Sequence, residues 1–260
     1  MTNHAVGMGE QGKSEREKFE NELKRILKAS EDAGILFRVI GSLAFQIHCP
    51  NNGHLQAALG RAYTDIDFAA YRKQTKQIQD MMTSLGYQEN REVFIVPEGE
   101  RAIHDKPSAG LHVDIFYEKL DFCHTIHWKD RLETDSPTIP LADLLLEKMQ
   151  IVQINERDII DTIMLLLEHP LGDIDKETIN MKRVAAICAA DWGFWRTVTM
   201  NLDKVRQLAH SYPQLSGEQK RKSGTTSERR IGAHGTGAQV HGVEIALARR
   251  RPRQVAQRSG

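Results

Sequence analysis

Two short apolar stretches, TDIDFAAY at residues 64–71 and LHVDIFYE at 111–118, carry aspartates where a strand ordinarily carries β-branched or aromatic side chains. This feature narrows the folds open to the chain. Along a strand successive side chains alternate faces, so Asp65 and Asp67 point the same way and their carboxylates converge on one volume. By the same alternation Asp114 points away from its neighbours Val113 and Ile115. If the two strands are adjacent, three acidic groups meet at one edge of a sheet. Like charges that close cannot all stay ionised without compensation, and a hard divalent cation with oxygen ligands, such as Mg²⁺, supplies it. A paired-metal site of that kind serves phosphoryl or nucleotidyl transfer, one ion activating the attacking oxygen and the other steadying the leaving group.

The periodicities around these stretches predict an α/β half followed by an α-helical half. Residues 1–13 are polar and read as an unstructured leader. Ser14 and Glu17 have capping-box spacing ahead of Phe19, Leu23, Ile26 and Leu27, which predicts a helix up to Gly34. Leu36 to Ile40 reads as a buried strand ending at Gly41-Ser42, with a short helical stretch through Leu43, Phe45 and Ile47 after it. Residues 50–61, with Asn51, Asn52, Gly53 and Gly60, read as a long loop. Further strands are expected at Ile66 to Tyr71, Tyr87 to Val96, Leu111 to Tyr117 and around Cys123 to Trp128, with a helix from Gln74 to Leu85. Beyond Pro140 the expected helices run from Leu141 to Gln153, Arg157 to Glu168, Lys176 to Ala190 and Gly193 to Ala209. The boundaries that follow are a core over 14–135, a helical region over 136–215 and a basic tail over 216–260.

Phosphates need a cradle as well as a cation. Gly41-Ser42 stands between a buried strand and a short helix, where a close backbone, a hydroxyl and a helix N-terminus all favour an anion. Each piece alone is common. Their order is much narrower: strand, Gly-Ser, helix, Asp-x-Asp strand, then a strand with a single Asp.

In that order the sequence resembles the nucleotidyltransferase fold superfamily, through Gly41 and Ser42 in RVIGSLAF, Asp65 and Asp67 in TDIDFAAY, and Asp114 in LHVDIFYE. The stretch TIPLADLLLEKMQIVQINERDIIDTIMLLLEH further resembles the segment that follows the core in the abortive-infection, type IV toxin branch, with Lys148 and Asp161 at the matching positions. Together the matches span about residues 35–170, and the separation between Gly-Ser and Asp-x-Asp is longer than usual, with 50–61 as the insertion. The resemblance implies an α+β core with a mixed sheet, Asp65 and Asp67 as Mg²⁺ ligands, Asp114 as ligand or base, and Gly41, Ser42, Lys148 and Asp161 lining the NTP site. The implied reaction moves a nucleoside monophosphate from an NTP to an acceptor, a small molecule, a protein side chain or a tRNA end. Its alternative is a non-catalytic binding or regulatory protein of the same fold in a toxin and antitoxin pair, whose expected mark is a lost carboxylate.

Lys148 can also be placed by spacing. On a helix it shares a stripe with Leu144, Leu145, Ile151 and Val152, so it faces protein, either in an ion pair with Asp158 or Asp161 or reaching an anion. Cys123, His124 and His127 lack a second ligand pair and read as strand and loop residues rather than a zinc site. Trp192 and Trp195 read as packing anchors, and Arg61 as a solvated loop arginine, its alternative being a phosphate contact.

Charge separates the tail from the rest. Lys plus Arg and Asp plus Glu are both 35, yet residues 218–260 hold 10 basic against 3 acidic residues and 6 of the 19 glycines. The first 217 residues therefore carry a net −7 and the tail +7. The tail has no period that would bury an apolar face and reads as disordered, either a basic arm making weak nucleic-acid contacts or an extension outside the functional design. A cap at Ser216 and Gln219 that breaks into Gly- and Arg-rich sequence after Lys222 is what a change of reading frame produces. Three widely spaced cysteines, Cys49, Cys123 and Cys188, fit free thiols, and with neither a membrane-length apolar run nor a secretory signal the chain is expected to be cytoplasmic.

Overall fold

A computed structural model describes residues 4–58, 63–90, 100–213 and 215–220. Helix α1, His4–Asp32, leads into strand β1, Phe37–Ile40, helix α2, Gly41–His48, and the one-turn helix α3, His54–Ala58. Strand β2, Ile66–Ala70, is followed by α4, Thr75–Ser84, and then by β3, Gln88–Glu89, β4, Arg101–Lys106, and β5, Leu111–Tyr117. A hairpin of β6, Lys119–Asp121, and β7, Thr125–His127, precedes helices α5, Leu141–Met149, and α6, Glu156–Glu168. The short parallel pair β8, Leu171–Gly172, and β9, Ile179–Asn180, leads to α7, Met181–Ala190, and α8, Trp192–Ser211.

The five-stranded sheet has the order β1-β2-β5-β4-β3 and is mixed. Strand β1 runs antiparallel to β2, β2 parallel to β5, and β4 antiparallel to both β5 and β3. Central β2 and β5 are buried along nearly their whole length, which is why they read as continuous apolar runs. On one face Ile66 is opposite Val113 and Phe68 opposite Ile115; on the other Asp67 is opposite Asp114. Residues 137–139 close the free edge of β1, the Val39 N–H donating to the Pro137 carbonyl at 2.9 Å. Helix α2 packs against both α5 and α6, so the sheet and the helical half share one hydrophobic cluster from Phe19 to Leu215.

Several expectations are corrected. The segment expected as a leader is helical from His4 in spite of Gly7, Gly9 and Gly12, leaving Ser14 and Glu17 inside α1. The expected loop at 50–61 contains α3, fixed by Leu55 and Gln56, which are 1% and 2% exposed. Strand β4 was not expected at all. Of the strand expected from Tyr87 to Val96, only Gln88–Glu89 is extended and paired; residues 91–99 lie outside the described residues. Helix α5 stops at Met149 because Asn201 on α8 donates to the carbonyls of Met149 and Ile151 at 3.1 and 2.8 Å. Helix α7 starts at Met181 rather than Lys176, where the Asn180 side chain accepts from the Lys182 and Arg183 N–H groups. Trp192 is 61% exposed, with its ring 6.4 Å from that of Trp195, and it is Trp195 that packs against the core.

Candidate active site

The pairing of β2 with β5 sets Asp67 directly beside Asp114, and Asp65 lies one residue before β2 on the same side as Asp67. One carboxylate oxygen from each of the three lies within 4.8 Å of the others. Asp114 is 3% exposed, while Asp65 and Asp67 are half-buried. The Asp67 carboxyl is pushed well above the usual carboxylate range, first by burial and then by Asp65, Glu147 and Asp114, with Lys148 opposing. These acids compete for charge unless a cation joins them.

Gly41 is required at this site for two reasons. It follows Ile40, whose partner across the β1–β2 ladder is Asp67, and it takes φ +67°, a left-handed conformation costly for other residues. A Cβ there would also run into Asp67 Oδ2. Its N–H donates to Glu147 Oε2 at 3.1 Å, so this donor of the expected phosphate cradle is turned toward the protein interior. Ser42, in the first turn of α2 and 7% exposed, makes no side-chain hydrogen bond among the described residues.

Lys148 on α5 is 7% exposed, with Nζ 3.1 Å from Asp158 Oδ1, 3.4 Å from Glu147 Oε1 and 3.6 Å from Asp161 Oδ2, and 5.4 Å above the Phe45 ring. The ion pair with Asp158 and Asp161 is therefore present. Asp161, fully buried on α6, accepts from Gln56 Nε2 at 2.7 Å, and Gln56 Oε1 accepts from the Tyr63 hydroxyl at 3.2 Å. The insertion thus braces the helical side of the site. Of the stripe expected around Lys148, only Leu144 and Leu145 share its helix, and Val152 is 46% exposed.

Three neighbours of the site were missed. Glu147 is buried beside Lys148, and burial raises its carboxyl above the ordinary value against the pull of Lys148 and the Gly41 N–H. An acid in the apolar run LLLEKM was its only signal. Arg101, on the unexpected β4, donates from Nη2 to Asp114 Oδ2, and its guanidinium lies 5.1 Å over the Phe116 ring. His112 has Nδ1 2.5 Å from Asp105 Oδ1 and Nε2 3.5 Å from Asp114 Oδ1. Arg61 lies outside the described residues.

The donor set fits a hard divalent cation: three carboxylates, with Asp114 Oδ1 buried and without a hydrogen bond. Among the described residues no other group of three acids, histidines or cysteines has metal-binding geometry, and Cys123 and His124 belong to none. His124 instead pairs with Thr197 at 2.8 Å and stacks on Phe194. All three cysteines are free, and no helix among the described residues is long and apolar enough to cross a membrane. No protein-family model and no curated protein matches the chain.

Proposed function

We propose that the chain is a Mg²⁺-dependent nucleotidyltransferase with a nucleotidyltransferase-like core, moving NMP from an NTP to an acceptor hydroxyl and releasing pyrophosphate. The observation that carries this reading is the convergence of Asp65, Asp67 and Asp114 within 4.8 Å beside a glycine whose side-chain volume Asp67 fills. All three carboxylates are present, which favours catalysis over a binding protein of the same fold.

Asp65, Asp67 and Asp114 would hold the cation, and Mg²⁺ there would offset the triphosphate charge and make the α-phosphorus more electrophilic. Asp114, beside the cation, would also take the acceptor proton as the acceptor oxygen bonds to the α-phosphorus and the bond to the β-phosphate oxygen breaks. The Ser42 hydroxyl is available to donate to a phosphate oxygen. Lys148, held by Asp158, exerts its charge on Asp67 from the helical side.

Label transfer tests the reading. Each NTP labelled at the α-phosphate is incubated with Mg²⁺, cell extract and protein, comparing wild type with Asp65→Ala plus Asp67→Ala. Label should move to an extract component only with wild type. Equal transfer by both proteins would overturn the assignment.

A further inference from the structure

We propose that Arg101 is the resident counter-ion of the acidic triad and competes with the divalent cation for Asp114. This rests on the reading of Asp65, Asp67 and Asp114 as a cation site. On Asp114 the two oxygens differ: Oδ2 accepts from Arg101 Nη2, whereas Oδ1 is buried without a hydrogen bond, 3.5 Å from His112 Nε2. With all three carboxylates ionised, as a bound cation would make them, one guanidinium leaves two negative charges, the complement of one divalent ion.

The arginine is held firmly at one end and poorly at the other. Its Nη2 has the carboxylate and its face lies over Phe116, but its Nε is buried with no hydrogen-bond partner. A buried N–H left unpaired costs free energy that rehydration recovers, so displacement of the side chain from the pocket is partly offset. A cation arriving at Asp114 meets a like charge already there, and its affinity is set by how strongly Arg101 holds the carboxylate. Arg101 is therefore a positioning residue that acts through Asp114. It keeps the cation weakly bound until an anion such as a triphosphate enters to accommodate both positive charges.

The test uses Mn²⁺ alone, without nucleotide, titrated into the full chain and followed by the spin-resonance signal of free Mn²⁺. Arg101→Met should tighten binding on the order of tenfold, and in an Asp114→Asn background the same substitution should change it by less than about twofold. Unchanged or weaker binding by Arg101→Met overturns the proposal. Equal tightening in both backgrounds also overturns it, because that is a general charge effect not routed through Asp114. Absence of saturable Mn²⁺ binding in every variant overturns it too. Should Arg101→Met fail to fold, Arg101→Lys carries the test, with tightening of about threefold expected and none overturning it. Label transfer is measured separately: if it fails while the Arg101–Asp114 coupling holds, the enzymatic reading falls and the counter-ion stands.

Discussion

A single methyl group at Gly41 meets two obstacles, a left-handed backbone at φ +67° and the Oδ2 atom of Asp67. The backbone alone costs a non-glycine residue roughly 1 kcal/mol or more, and the clash adds to it by moving Asp67. Gly41→Ala is therefore expected to lose about 2 kcal/mol in urea unfolding and to weaken Mn²⁺ binding in the same protein. Wild-type values for both would remove Asp67 from the turn's packing. His48 gives a pH signature of its own. Burial first, then His169, lowers its pKa from the ordinary 6.5 to about 4, while its Nε2 pairs with Thr138 Oγ1. The fold favours the neutral ring, so its stabilisation is complete above pH 6.5 and is lost as pH falls toward 4. His104, 2% exposed with neither ring nitrogen paired, is shifted in the same direction by burial. Melting temperature should fall between pH 6.5 and 4 in wild type and fall less in His48→Gln. Identical pH profiles would show that His48 does not carry the effect.

Helices α5 and α6 are joined across a buried charge cluster in which Lys148 serves Glu147, Asp158 and Asp161 at once. Removing this cation takes a partner from three buried acids, so Lys148→Met should cost about 3 kcal/mol or more, read as a lower urea midpoint. Asp158→Asn, which leaves Lys148 two carboxylates, should cost clearly less. The same elements show what sequence reasoning can see. Strands β1, β2 and β5 were legible because burial on both faces forces unbroken apolar runs around Asp67 and Asp114. Helices α4, α6 and α8 were legible from their helical apolar spacing. Strand β4 was not, because RAIHDK offers only Ala102 and Ile103 as apolar residues and is ordered by its partner β5. Arg101 was hidden with it. Gln56 was hidden for a related reason: its role is to meet Asp161, 105 positions away, and no local pattern encodes that contact.

For the molecule as a whole, the question is where the acidic body ends and the basic tail begins. Tyr212 and Leu215 are 6% and 4% exposed, so the body extends beyond α8. The predicted cap is present: Ser216 N–H donates to Gln219 Oε1 at 2.9 Å and Gln219 N–H to Ser216 Oγ at 3.2 Å. Gln219 Nε2 further reaches Asn52 Oδ1 at 3.4 Å, tying this turn to the insertion that braces Asp161. Among the described residues the core cluster ends at Leu215. Truncation after Lys220 should therefore leave the urea midpoint and kcat at wild-type values, whereas truncation after Ser211 removes Tyr212 and Leu215 and should cost about 2 kcal/mol or more. The net +7 of the tail balances the net −7 of the body, so its removal leaves the chain acidic. If the acceptor is a tRNA end, loss of the tail raises the acceptor KM and lowers its salt dependence while kcat is kept, since phosphate contacts made by Lys and Arg release counterions. If the acceptor is a small molecule, the truncated and full chains share one KM at every salt concentration. A fall in kcat on truncation after Lys220 would place the tail inside the catalytic design and contradict the boundary drawn at the Ser216 cap.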